Sequence, residues 1–338
     1  MLNEQNEVMN LEIIFTNRLT DIWQSKIEEL KRDFPNIKFV TFKDVEHPRA
    51  HLETADAVVG GHFSDEEIEK AKNLKVIFVP WTGVNMLPWE IIRKKNVIVT
   101  NTHANSRAVA ERAVALALAL TGRIVEYHND LKVGIWHGFP VGLPENDYWT
   151  SLHGRTCAII GFGNIGRNVA KMMKAFDCQI LAFKKRHIDK IPEYANELTF
   201  NLETAISKGD IIFVTLPLTP ETKGMFNENI LFNMKDKFLI NVSRGEIVDE
   251  KALYLSLKNG ILAGAAIDTW YQYPADPNIV TLPSKFPIHT FKNVVVSPHI
   301  AGVTKENMNN MAQDTLNTIR AYLKSGEILN RVNPDLMY

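Results

Sequence analysis

Six residues, Gly161-Phe162-Gly163-Asn164-Ile165-Gly166, carry the clearest chemical signal in this chain. A G-x-G-x-x-G spacing alone is weak, because glycines are common in turns. Its surroundings make it specific. An apolar run at 156–160 precedes it, and an amphipathic stretch with Ile165, Val169, Met172, Met173 and Phe176 follows it. In a strand–turn–helix unit the first glycine allows the tight turn. The second lets the backbone approach a pyrophosphate, and the third lets helix and strand pack closely. The helix start, with Asn164 and Ile165, then offers unpaired N–H groups and a positive dipole end to the phosphates. We read 161–166 as a dinucleotide loop rather than a structural turn.

The segment about 20 residues further on selects the dinucleotide, because an acid there accepts from the ribose 2′-OH of NAD. This chain has Phe183-Lys184-Lys185-Arg186-His187, with no acid. The cations Lys184, Lys185 and Arg186 suit the 2′-phosphate of NADP. NADP(H) is therefore the expected cofactor, with NAD(H) as second choice. A solvated basic turn without a ligand is the plainer alternative.

These residues need a scaffold, and the whole chain bounds it. A length of 338 residues favours two domains. Lys+Arg 38 against Asp+Glu 39 leaves a formal charge of −1, which argues against a nucleic-acid partner. Two cysteines, Cys157 and Cys178, cannot make a disulfide framework and fit a reducing cytoplasm. No apolar stretch is long enough to span a membrane, and residues 1–10 do not read as a secretory signal. The ten histidines are scattered without metal-ligand spacing.

Apolar runs at 11–15, 38–42, 57–59, 74–79 and 97–100 read as strands, with helices at 21–32, 65–72 and 89–94 between them. Ser64 to Glu67 has the form of a capping box. A second series begins at 156–160, with a helix over 165–176 and strands at 179–183, 211–216, 238–242, 264–267 and 294–297. Helix closes the chain over 301–329. Alternation of this kind implies parallel sheets. Between the two series, Val109, Ala113, Leu116, Leu120 and Ile124 mark one apolar face of a single helix over 106–132. It serves either as a stiff crossing between domains or as a core helix within one. Residues 134–147 read as a loop.

Further stretches carry a resemblance: INVSRGEIVDE at 240–250, GAAIDTWYQYP at 264–274, VVVSPHIAGVT at 294–304 and TLPLTPETKG at 215–224. NLKVIFVPWTGVN at 73–85 and NSRAVAE at 105–111 belong to the same set. In this order they resemble the D-isomer-specific 2-hydroxyacid dehydrogenases across nearly the whole chain. The resemblance implies two Rossmann/flavodoxin-like doubly wound α/β domains with a cleft between them. Residues 1–104 and 303–338 would form the substrate domain, and 105–302 the nucleotide domain inserted within it. It also implies a homodimer and a small 2-keto or 2-hydroxy acid as substrate, with glyoxylate or hydroxypyruvate as the default.

Reducing a keto acid needs a cation for carboxylate and carbonyl, and a proton donor for the forming alkoxide. Arg244 matches the family's catalytic arginine and offers a planar fork of donors. His299, in Ser-Pro-His, matches the general acid/base. By the same resemblance Thr82 and Gly83 bind the substrate carboxylate, with Asn105 nearby. Thr215, Val242 and Ser243 line the cofactor, and Asp268 meets its carboxamide.

One position departs from the family. A Glu that partners the catalytic His usually stands before Pro274, and here Tyr273 takes its place. A phenol can orient an imidazole but gives it no negative charge. That departure raises two alternatives: a formate-like hydride transfer without a proton step, and a nucleotide-sensing, corepressor-like binding protein.

Overall fold

The computed structural model describes residues 11–17, 19–144 and 147–338. The segment at 1–10, read above as lacking a secretory signal, lies outside them. Contacts divide the chain into two compact units. One comprises the residues up to Asn105 together with Val303–Tyr338, and the other is Ser106–Gly302.

In the first unit β1 (Glu12–Phe15), α1 (Asp21–Asp33), β2 (Lys38–Val40), β3 (Ala57–Val59), α2 (Asp65–Lys70), β4 (Val76–Phe78), α3 (Trp89–Lys94) and β5 (Ile98–Thr100) follow in turn. The sheet is parallel with strand order β2-β1-β3-β4-β5. Its central strands are buried on both faces, which is why they read as continuous apolar runs. The capping box at α2 is complete. Glu67 N–H donates to Ser64 Oγ at 3.1 Å, and Ser64 N–H donates to the Glu67 carboxylate at 2.9 Å.

The second unit opens with α4 (Ser106–Thr121) and α5 (Ile124–Lys132). Next come β6 (Thr156–Ile160), α6 (Asn164–Lys174), β7 (Gln179–Phe183), β8 (Glu197–Thr199), α7 (Leu202–Lys208), β9 (Ile211–Val214), α8 (Glu228–Phe232), β10 (Phe238–Asn241), α9 (Glu250–Lys258), β11 (Gly264–Ile267) and β12 (Val294–Val296). The strand order β12-β11-β10-β9-β6-β7-β8 is parallel throughout. The chain runs outward from β6 to β8, then returns to the other side of β6 at β9. Such a reversal leaves a crevice at the carboxyl ends of the strands, where doubly wound sheets bind ligands.

The helix expected over 106–132 is not continuous. Arg123 has φ +51°, in the left-handed region, and separates α4 from α5. A Cβ on Gly122 would stand 2.7 Å from the Leu118 carbonyl oxygen, so the glycine permits the tight break. Ile124 consequently leaves the apolar face and is 57% exposed. Of the two readings of this helix, the core reading holds for α4. Val109, Ala113, Leu116 and Leu120 share one buried cluster with Cys157, Ile159, Val169 and Met173. β8 has no counterpart in the sequence reading.

After the second unit, α10 (Lys305–Ser325) returns to the first. Its Ala312, Leu316 and Ile319 pack with Ile13, Phe15, Trp23, Ile27 and Phe78. It is shorter than the 301–329 expected. Thr304 Oγ1 caps its start by accepting from Asn307 N–H at 3.1 Å, and Gly326, at φ +70°, ends it. Among the described residues no helix is long and apolar enough to cross a membrane, and no group of acids, histidines and cysteines could hold a metal ion.

Candidate active site

The glycine loop joins β6 to α6 at the strand-order reversal. Gly161 has φ +104°, and a Cβ there would lie 2.9 Å from the Thr215 carbonyl and the Leu216 nitrogen. A Cβ on Gly166 would collide with the Gly161 carbonyl. At Gly163 a Cβ would meet nothing within 4 Å, and the backbone there is exposed. The outer glycines are thus required by packing, while the middle one leaves bare backbone for an incoming group. Asn164 and Ile165 start α6, whose first amides lack helical acceptors. This cradle fits a pyrophosphate. Thr215, after β9, donates from Oγ1 to the Gly161 carbonyl at 2.5 Å. Val242 and Ser243 follow β10 and are buried, and Ser243 Oγ donates to the Leu216 carbonyl.

The three cations lie at the end of β7. Lys184 N–H donates to the Thr199 carbonyl at 3.1 Å, and no carboxylate among the described residues pairs with its side chain. Lys185 Nζ lies 2.6 Å from a Glu221 oxygen. Arg186 is exposed.

Beyond the other side of the crevice, β10, β11 and β12 each end in a chemical group. Arg244 follows β10. Its Nη1 donates to the Ser243 carbonyl at 2.7 Å, and the Asn241 side-chain amide holds the Arg244 carbonyl at 3.0 Å. A Cβ on Gly245 would collide with the Trp270 carbonyl, so the glycine lets the arginine turn pack on the segment after β11. Burial pulls the Arg244 pKa down, with the Glu246 charge opposing; a guanidinium stays cationic regardless.

His299 follows β12 with φ +57°, a conformation that non-glycine residues adopt only when their surroundings impose it. The imposing group is Asp268, at the end of β11. Its Oδ1 accepts from Ser297 Oγ at 2.5 Å and from Ile300 N–H at 3.1 Å, and its Oδ2 accepts from Ala301 N–H at 3.1 Å. Trp270 Nε1 adds a bond to the Ser297 carbonyl at 2.9 Å. The His299 residue keeps an exposed edge. Desolvation on its inner side and the Arg244 charge lower its pKa, while Asp268 opposes. Tyr273 lies beside it at 5.4 Å between ring centroids, and burial raises the phenol's pKa. Arg244, His299 and Tyr273 are therefore brought together.

In the first unit, Thr82 and Gly83 follow β4. Thr82 Oγ1 lies 2.7 Å from Asn105 Oδ1 and donates to the Thr102 carbonyl at 2.9 Å. Among the described residues neither the Thr82 nor the Gly83 amide has a backbone acceptor. Asn101 Nδ2 donates to the Thr82 carbonyl at 2.8 Å and fixes the turn.

A model of the family described as D-isomer specific 2-hydroxyacid dehydrogenase, NAD binding domain, matches residues 114–301. The chain belongs to this family. Glyoxylate/hydroxypyruvate reductase B of Pectobacterium carotovorum is 30% identical over 335 residues, 97% of this chain and 100% of that protein. Glyoxylate reductase of Thermofilum pendens is 37% identical over 265 residues, 77% of this chain and 75% of that protein. A solved NAD-complexed D-isomer specific 2-hydroxyacid dehydrogenase from Lactobacillus delbrueckii ssp. bulgaricus is 25% identical, with a TM-score of 0.77. The match covers 96% of this chain and all of that one. As a D-isomer-specific 2-hydroxyacid dehydrogenase, the protein is an NAD(P)-dependent oxidoreductase of small 2-keto or 2-hydroxy acids. The formate-like and corepressor-like alternatives are not favoured.

Asp268, expected at the cofactor's carboxamide, is fully buried, and its oxygens accept from Ser297, Ile300 and Ala301. Its visible task is to hold the histidine's backbone. Ser297, Trp270 and Glu221 are further residues that support the site. Ser297 stands two residues before His299 in Ser-Pro-His, a signal that could have been used. Trp270 and Glu221 gain their roles from partners 27 and 36 residues away, which spacing does not reveal.

Proposed function

We propose that this dehydrogenase is a cytoplasmic, homodimeric, NADP(H)-preferring reductase of small 2-keto acids, with glyoxylate or hydroxypyruvate as substrate. The assembly of Arg244, His299 and Tyr273 at neighbouring strand ends carries this reading. When bound, the reduced nicotinamide supplies the hydride. Arg244 binds the substrate carboxylate and polarises its carbonyl through a planar fork of donors. His299 gives the proton to the forming alkoxide. In the first unit, the Thr82 and Gly83 amides are donors suited to a carboxylate, and Asn105 accepts from the Thr82 hydroxyl. Gly161, Gly163, Asn164, Ile165 and Gly166 receive the pyrophosphate, and Thr215, Val242 and Ser243 shape the adjoining wall.

The cofactor preference rests on Lys184, Lys185 and Arg186 standing where an NAD site has an acid. The buried thiols of Cys157 and Cys178 support a reducing compartment. Apolar side chains in the segment after α5 support a dimer, since Ile135, Trp136, Phe139, Tyr148 and Trp149 are all more than half exposed. The test is a panel of 2-keto acids assayed with NADH and NADPH separately, with sedimentation of the same sample. NADPH-dependent turnover of glyoxylate or hydroxypyruvate is expected. Turnover of no small 2-keto acid would remove the reading.

A further inference from the structure

The Lys185–Glu221 ion pair joins two loops from opposite sides of the nucleotide crevice. Lys185 follows β7 and Glu221 follows β9, the strands that flank β6. The pair therefore arches across the end of the strand that carries the glycine loop. Its distance is 2.6 Å, and the Glu221 carboxyl is held below its ordinary range by the hydrogen bond to Lys185, with the Arg186 charge contributing.

The loop that delivers Glu221 is built rigidly. Thr222 Oγ1 donates to the Pro217 carbonyl at 2.6 Å and accepts from Thr219 N–H at 2.9 Å. Thr219 and Thr222 are both buried, so the backbone on either side of Glu221 is fixed. Lys184 N–H, bonded to the Thr199 carbonyl, fixes the opposite side.

We propose that Glu221 is a specificity-determining residue of the nucleotide site, whose carboxylate competes with a ribose 2′-phosphate for Lys185 and Arg186. This rests on the reading of the basic cluster as the 2′-phosphate site. A phosphate monoester carries roughly 1.5 to 2 negative charges near neutral pH. To use all three cations it must displace the carboxylate or sit beside it, and both are unfavourable. Lys184, without a carboxylate partner, is the cation that distinguishes the two cofactors without this penalty. Glu221 thus moderates the preference for NADP rather than creating one for NAD. Both partners are solvated, so the competition is screened by salt.

Calorimetric titration with 2′,5′-ADP and with 5′-AMP tests this without turnover. Removing one carboxylate charge from beside a dianion in a high-dielectric setting corresponds to about three- to tenfold in affinity. Glu221→Gln should therefore bind 2′,5′-ADP about that much more tightly, leave 5′-AMP within about twofold, and lose the gain near 1 M salt. Unchanged or weaker 2′,5′-ADP binding in Glu221→Gln would overturn the proposal. Lys184→Asp separates the two layers, since it should weaken 2′,5′-ADP whatever Glu221 does. If the parent binds both probes alike and Lys184→Asp changes nothing, the cofactor reading fails and takes this proposal with it. If Lys184→Asp weakens 2′,5′-ADP but Glu221→Gln is silent, only the role of Glu221 fails.

Discussion

Tyr273 lies against His299 with ring planes tilted by 51°, and its hydroxyl accepts the Trp270 N–H at 2.9 Å. The phenol therefore braces the imidazole sideways and leaves its protonation alone. Among the described residues no carboxylate forms an ion pair with the ring. The groups that act on its charge are Arg244, which disfavours the imidazolium, and Asp268, which favours it but is engaged elsewhere.

Keto-acid reduction consumes a proton from imidazolium, and this histidine loses its proton below the ordinary range. Activity should therefore decline early as pH rises through that lowered pKa. Tyr273→Glu should add a charge partner and move the limb of the kcat/KM profile upward by about one pH unit, if the pair is worth roughly 1.4 kcal/mol. His299→Gln should nearly abolish reduction. A limb that persists unchanged in His299→Gln would assign the proton to another residue.

Arg244→Lys retains a charge but loses the fork that grips a carboxylate and a carbonyl together. We expect a loss of about 100-fold or more in kcat/KM, comparable with removing a preorganised donor. Nucleotide binding followed by fluorescence should change little. Near-parental kcat/KM in the variant would contradict the assigned role.

Asp268→Asn replaces one acceptor by a donor facing the Ala301 amide. Hydrogen bonds to a charged group contribute about 1.5–3 kcal/mol, so a loss of stability near that size is expected. The readout particular to this role is faster amide exchange at Ile300 and Ala301, together with reduced kcat. Slow exchange at both positions, at parental rates, would show that the turn holds without the carboxylate.

His137 offers a pH-dependent clamp outside the active site. Its Nδ1 lies 2.6 Å from Asp147 and its Nε2 3.0 Å from Asp130, with the Tyr127 ring tilted against it at 4.6 Å between centroids. Lys292 faces Asp130, and Arg123 faces Asp147. The hydrogen bond to Asp147, then that to Asp130, raises the histidine's pKa, and the hydrogen bond from His137 lowers both acids. A raised histidine stabilises below its unfolded pKa and loses that contribution as pH rises through the folded value. The lowered acids stabilise above their unfolded pKa and lose it as pH falls through the folded values. Melting of the parent against His137→Gln from roughly pH 3 to 10 should show the largest gap between these limits. A gap that stays constant with pH would rule out the clamp.

Most of the frame was legible because parallel strands buried on both faces leave apolar runs, and the three motifs with Gly161, Arg244 and His299 sit at strand ends. The break at Arg123 was hidden because the apolar spacing of α4 runs on into Ile124, although Gly122 marked the place. β8 is a three-residue edge strand containing Glu197 and Thr199, too short and polar to register. The site's support was least legible. That Asp268 holds the turn of a left-handed His299 depends on β11 and β12 being neighbours, and sheet order is not written in local spacing.

The return of α10 to the first unit has a consequence for how the polypeptide is made. A ribosome releases roughly 200 residues, Ser106–Gly302, between β5 and the helix that completes the core around Ile13, Phe15 and Phe78. At about 5–20 residues per second this is a wait of about 10–40 s. Throughout it, the opening segment lacks Ala312, Leu316 and Ile319, while every strand of the nucleotide unit emerges in uninterrupted succession. The inserted unit is thus the first to hold all of its own parts, and the unit whose synthesis begins first is the last to close.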